Sequence, residues 1–254
     1  MRTGSNFNSH PPLSDMLPKT ATPRIVVLEA NRLYGDLVSR HIKEYWRGAK
    51  VEVFQKGFDA LDAIQAGVPD MFIGGVNVED MDGLEHFEPF IDGNLPILIV
   101  TNHKDARTFC LLREIRYDGI YDAREEGLEN LHTAMQAALA HRLYVSPSIV
   151  PLLKKPKNLT LDSLTEKEQI VLSTIGDGSD DQQAAEKLGL SYRTVNTHRK
   201  TIMGKLGLHH KGQIMCYALQ QGYVQITPQG VFRPGFQRQI KSLTAARNST
   251  AKIA

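Results

Sequence analysis

Two stretches of this chain hold residue types that could do chemistry. The first is SYRTVNTHRKTIMGKLG, from Ser191. Stepped at about 100° per residue, it places Val195, Ile202 and Leu206 on one stripe, with His198 at the border. The opposite face collects Arg193, Asn196, Thr197, Lys200 and Gly204. Amide, hydroxyl and ammonium groups so spaced suit hydrogen bonding to base edges in a DNA major groove, where a good bidentate pair discriminates by about 1–3 kcal/mol. A solvated polar helix face would show the same pattern, but the preceding DDQQAAEKLGLS reads as a helix and tight turn and favours helix-turn-helix. The second stretch is PDMFIGGVNVEDMDGLE, residues 69–85, a buried strand running into a loop and a helix start. It ends its strand in Gly74-Gly75, where a site at that edge would use a carboxylate.

The elements around these stretches follow from hydrophobic period. Short apolar runs at 25–29, 51–54, 71–75, 97–101 and 119–121 alternate with amphipathic stretches at 32–46, 57–66, 83–91, 104–115 and 126–142. Such strands predict a five-stranded, doubly wound parallel α/β sheet of flavodoxin-like form. Its functional edge lies at the carboxyl ends of the strands, which gathers Glu29, Gly75 and Thr101. A Pro- and Lys-rich stretch then precedes four short helical patterns, at 166–176, 180–188, 192–206 and 211–221. Thr165 to Glu168 reads as a capping box, and Gly178, Gly189 and Gly207 as C-terminal caps. The organisation expected is a disordered tail at 1–22, an α/β domain at 23–142, a linker at 143–162, an all-α four-helix domain at 163–224 and a basic tail at 225–254.

Charge divides the same way. Residues 1–145 hold 15 Lys/Arg against 21 Asp/Glu, a net −6, and residues 146–254 hold 15 against 7, a net +8. A basic C-terminal half points to a polyanion partner. The tail from Gln225 has five Lys/Arg and no acid; it either adds nonspecific phosphate contacts or is inert, and inertness is the expectation. No apolar run approaches the roughly 20 residues of a membrane span, and the N-terminus lacks a secretory apolar core. A cytoplasmic protein with no membrane association is expected. Cys110 and Cys216 read as buried thiols, since no paired framework exists. His198, His209 and His210 lack the Cys or carboxylate that would complete a metal site, and no cofactor is implied.

The segment 164–224 carries an LTxxE start, an AxxLGLSxxTVxxHxxxIxxKLG core and a terminal ALxxGxV helix, and resembles the LuxR/NarL-type DNA-binding domain along its whole length. That resemblance implies a four-helix output domain bound to double-stranded DNA as a homodimer, with the third helix in the major groove and the fourth contributing to dimerisation. Asn196, Thr197 and Lys200 match base-facing positions; Arg193, Thr194, His198, Arg199 and Lys205 suit DNA backbone contacts. Asn196 stands where Lys is common in the family. Ile214, Met215 and Ala218 form either a dimer seam or an ordinary core stripe.

Pro69-Asp70, Asn77 and Met81-Asp82-Gly83-Leu84-Glu85 resemble the third strand and following loop of a response-regulator receiver domain. Receiver phosphotransfer requires a nucleophilic aspartate, carboxylates for Mg²⁺, and a Lys and Thr/Ser on the phosphoryl oxygens. Here the nucleophile position falls on Gly75, the acidic pair is reduced to Glu29 before Ala30, and no Lys occurs between Lys104 and Lys154. Thr101 alone is in place, read as a strand-ending residue. The switch aromatic falls on Ile120, with Tyr121 beside it. The resemblance therefore implies a degenerate receiver with a vestigial site at Glu29, Gly75 and Thr101. The expected function is a sequence-specific transcription regulator, not an enzyme, controlled without aspartyl phosphorylation through dimerisation, a partner or a ligand. Phosphorylation of a displaced carboxylate and sensing of a small ligand are the alternatives.

Overall fold

The structure, a computed structural model, describes residues 22–75, 80, 94–112, 115–154, 163–227, 230–236 and 239–240. Residues 1–21 of the expected tail, the expected helix at 83–91, Asn77, Glu79, the Met81 to Glu85 stretch, linker residues 155–162 and most of the chain beyond 236 lie outside these.

β1 (Arg24–Leu28), β2 (Lys50–Phe54), β3 (Met71–Gly74), β4 (Ile97–Thr101), β5 (Gly119–Asp122) and β6 (Tyr144–Val145) form one sheet in the order β2-β1-β3-β4-β5-β6. Every pairing is parallel. Side chains alternate across such a sheet. Ile25, Val27, Met71 and Ile73 accordingly meet α1 (Arg32–Tyr45) and α4 (Leu128–Leu139), while Val26, Leu28 and Phe72 meet α2 (Gly57–Ala66) and α3 (Ala106–Leu112). Two apolar layers explain why these strands lack a polar face.

The sheet has six strands, not the expected five. Tyr144 N donates to Asp118 O and Ser146 N to Ile120 O, which zips the start of the expected linker onto β5. Ile149 is fully buried in the α2/α3 layer, just before the short α5 (Val150–Leu153). The α/β domain therefore runs on to Lys154. Pro- and Lys-rich composition marked a linker, but the apolar residues between the prolines decide the packing.

The C-terminal domain contains α6 (Glu166–Ile175), α7 (Asp181–Leu188), α8 (Tyr192–Leu206) and α9 (Lys211–Gln220). The Thr165/Glu168 capping box is formed, and a second joins Asp180 to Gln183. Gly189 and Gly207 end α7 and α8 at φ 66° and 65°, a left-handed backbone that glycine adopts without steric cost. Gly178 is left-handed too, but α6 is capped by Gly176. As far as it is described, the 225–254 stretch is folded onto the helical domain and is not a disordered tail. β7 (Gln225–Thr227) and β8 (Gly230–Phe232) form an antiparallel hairpin, and Phe236 is buried in the helical core.

This C-terminal extension touches the α/β domain at α3. Arg107 N donates to Gln221 O at 3.0 Å, and its guanidinium lies 4.3 Å over the Phe236 ring. Gly222 sits at φ 79°, and a Cβ added there would stand 1.9 Å from Asp105 Oδ1. Gly222→Ala is therefore expected to lower the thermal midpoint of the chain, at a cost of about 1–3 kcal/mol for overpacking.

Candidate functional site

α8 starts at Ser191, whose hydroxyl accepts from Thr194 N at 3.1 Å. Val195 and Ile202 are fully buried, and Arg193, Thr197, Lys200 and Gly204 are exposed along one stripe. A Cβ at Gly204 would meet nothing within 4 Å. The face presents two cations, a hydroxyl and a bare backbone, with no acid, so a polyanion can approach closely.

The structure divides the remaining expected contacts. Asn196 is half-buried, and its Nδ2 donates to Asp181 Oδ2 at 2.7 Å, so its amide is already engaged at the edge of the face. Arg199 is a correction. It is 6% exposed and ion-paired to Asp181, with Nη2 donating to Ser179 O at 3.2 Å; it braces α8 against α7 and cannot reach a phosphate. Lys205 pairs with Glu168 at 2.7 Å while keeping a third of its side chain exposed. Thr194 and His198 are half-buried. Tyr192, 55% exposed, is an aromatic at the start of α8 that the helical wheel did not single out.

Ile214 and Ala218 are fully buried in the helical core, which removes them from the expected dimer seam. Met215 is half-buried; Cys216 and Leu219 are the exposed neighbours. Cys216 is thus not the buried thiol expected, and Cys110 is half-buried.

Three buried carboxylates brace this domain. Burial raises the carboxyls of Glu168, Asp177 and Asp181, but Lys205 and Thr165, Ser179 and Lys187, and Asn196 and Arg199 respectively outweigh it and hold each below the ordinary range. Arg233 also contacts Asp177. A carboxyl with a lower pKa folded than unfolded contributes stability above its unfolded value, near 4, and loses it as pH falls through the folded value. Acid titration followed by circular dichroism is expected to leave the helices intact down to about pH 5 and to unfold them below about pH 4, with Asp181→Asn showing a shallower acid dependence.

At the carboxyl edge of the sheet, Glu29, Gly75 and Thr101 line one cleft of about 910 Å³, as expected. Thr101 is 4% exposed; its hydroxyl donates to His103 O and accepts from His103 N, which shapes the turn after β4. Glu29 accepts from Asn31 N at 2.8 Å, and burial pushes its carboxyl up. Gly75 is sterically open, since an added Cβ would meet only Val100 O at 3.5 Å. Ile120 is fully buried, whereas Tyr121 lines the cleft with its hydroxyl donating to Gly127 O.

Beside these lies an arrangement with no local signal in the sequence. Lys104, in the loop after β4, reaches Asp122 Oδ2 at 2.8 Å and Glu125 Oε1 at 3.1 Å. Burial raises the Asp122 carboxyl, but Lys104, the Ser148 hydroxyl and Arg124 N hold it below the ordinary range. The strand register Thr101↔Asp122 creates this meeting. The lysine near the edge is therefore neutralised by two carboxylates.

A divalent cation would need several oxygen ligands. This edge offers Glu29 with Ala30 and Gly75 beside it, a donor set that does not fit, and among the described residues no group of three His, Cys, Asp or Glu is placed to hold a metal. Nearby acids are also engaged. Asp80 caps α2, accepting from Gly57 N and Phe58 N, and Asp70 accepts from Arg24 N where β1 begins, at the opposite edge of the sheet. Among the described residues no helix is long and apolar enough to cross a membrane.

Residues 162–218 match the family described as bacterial regulatory proteins, luxR family. The transcriptional regulatory protein YdfI of Bacillus subtilis is 30% identical over 167 residues, covering 62% of this chain and 77% of that protein. The response regulator protein VraR of Staphylococcus saprophyticus is 26% identical over 184 residues, 67% of this chain and 84% of its own. Among solved structures, RcsB from Salmonella enterica serovar Typhimurium, bound to promoter rprA with the phosphomimetic BeF3⁻, superposes with a TM-score of 0.53 at 16% identity, covering 77% of this chain and 98% of its own. A receiver-like sheet followed by a helix-turn-helix domain is thus the shared fold. The chain belongs to the luxR family of bacterial regulatory proteins and is a DNA-binding transcription regulator of response-regulator type.

Proposed function

We propose that this regulator binds double-stranded DNA as a homodimer, reads it with the α8 face, and is controlled without aspartyl phosphorylation. Arg193, Thr197 and Lys200 face the groove, with Asn196 at the margin of the contact. Support for the homodimer comes from RcsB, which has been solved as two dimers bound to two parallel DNAs.

The observation that carries phosphorylation independence is Gly75 at the end of β3, in a cleft that no lysine lines; Lys104, in the loop after β4, is bound to Asp122 and Glu125. Phosphotransfer needs a nucleophile and electrostatic stabilisation at the same place; here the end of β3 carries Gly75 in place of a carboxylate, and the Lys104 ammonium is held by Asp122 and Glu125. Incubation with acetyl phosphate and Mg²⁺ is expected to leave both intact mass and DNA affinity unchanged. Gly75→Asp fits sterically and is expected to remain unphosphorylated too. A single-phosphoryl adduct on the wild-type chain would overturn the reading.

A further inference from the structure

The sheet-edge cleft, about 910 Å³, lies within the range of about 300–1,000 Å³ common for small-molecule sites. It opens beside β1 and β3, where the strand order reverses and α/β folds bind ligands. Leu28, Val100, Leu131 and Tyr121 supply apolar and aromatic wall from the α/β domain, and Phe232 supplies it from the C-terminal hairpin. A molecule seated there would touch both domains.

The polar groups of the wall point to the ligand's charge. Glu29 has no cationic partner among the described residues, and the Asn31 amide is its hydrogen-bond donor there. Burial pushes its carboxyl up, a cost that a donor or cation would relieve. Glu126 also lines the cleft; Oε2 accepts from Tyr144, whereas Oε1 is buried without a hydrogen-bond partner among the described residues. Of the groups that would attract an anion, Arg124 lines the cleft from its solvent-exposed side, where water screens its charge, and the others are occupied, outside the lining or weak. Lys104 is held between Asp122 and Glu125, burial lowers the pKa of the His103 imidazole, and Arg124 is exposed to solvent.

We propose that this cleft binds a small aromatic amine, its apolar body against Leu28, Tyr121 and Phe232 and its ammonium donating to the Glu29 carboxylate. The inference deepens, and rests on, the phosphorylation-independent reading above. An amine, unlike a phosphorylated metabolite, places a donor where the wall has unmet acceptors.

Isothermal titration calorimetry of the full chain tests it with tryptamine, phenethylamine and tyramine, against indole-3-acetate as the acid counterpart. At least one amine is expected to bind with a dissociation constant below about 1 mM, and indole-3-acetate at least about tenfold more weakly. Glu29→Gln keeps the acceptor for Asn31 N and is expected to weaken amine binding by about tenfold or more with its melting temperature retained. Gly75→Met, which adds bulk at the cleft, is expected to block binding independently of charge. No binding of any of the three amines, equal binding of the acid, or undiminished binding by both variants would overturn the proposal. A phosphoryl adduct in the intact-mass experiment would instead remove the parent reading, so the two failures are read separately.

Discussion

Replacing Arg199 with alanine is expected to destabilise the helix-turn-helix domain by about 3–5 kcal/mol, the usual cost of leaving one partner of a buried ion pair uncompensated. Arg199 and Asp181 keep 7% and 9% of their side-chain exposure, and they tie α8 to α7 together with Asn196 and Ser179. Urea unfolding followed by circular dichroism at 222 nm, about the helical minimum, would show the midpoint shift. DNA binding would be lost with it, because the reading helix no longer has a fixed platform. Changing both partners to leucine is expected to recover part of the stability, since well-packed apolar pairs often replace buried ion pairs without penalty. A variant Arg199→Ala with an unchanged midpoint would return the residue to the DNA-contacting set.

Lys200→Ala should behave in the opposite way. Lys200 is exposed on the free face of α8, and its removal leaves the core intact. Loss of a base contact is expected to lower operator affinity by about 1–3 kcal/mol, roughly five- to a hundred-and-fiftyfold, with the unfolding midpoint unchanged. Fluorescence anisotropy on the operator and on an unrelated duplex would separate a base contact from a phosphate contact. A base contact weakens the specific complex selectively, whereas a phosphate contact weakens both. Asn196→Ala is the informative contrast, because its amide already bonds Asp181 and part of its effect should appear as lost stability.

Much of the fold was legible because its signals are local. Alternating runs located five of the six strands to within a residue, and Thr165, Gly189 and Gly207 marked helix ends that the structure reproduces. Arg199 was misassigned although its position was readable. It lies four residues after Val195 and three before Ile202, on the core stripe, and its charge suggested solvent where Asp181 allows burial. Ile214 and Ala218 fit a seam or a core equally well on a wheel; their complete burial decides for the core. The hairpin and Phe236 were hidden in a segment whose basic composition resembles a tail.

By itself the sequence determined the two-domain plan, the polar face of α8 and the glycine pair that ends the third strand, because each depends on residue type and short-range period. Tertiary structure alone decided which cations are free. Lys104 and Arg199 look like available positive charges in the chain, yet one is neutralised by Asp122 and Glu125 and the other by Asp181, partners set by strand register and helix packing. Lys200 has the same charge and stands on an exposed face. The physical reason is that a charge's role depends on what the fold brings within a few ångströms of it, and sequence separation carries no record of that distance.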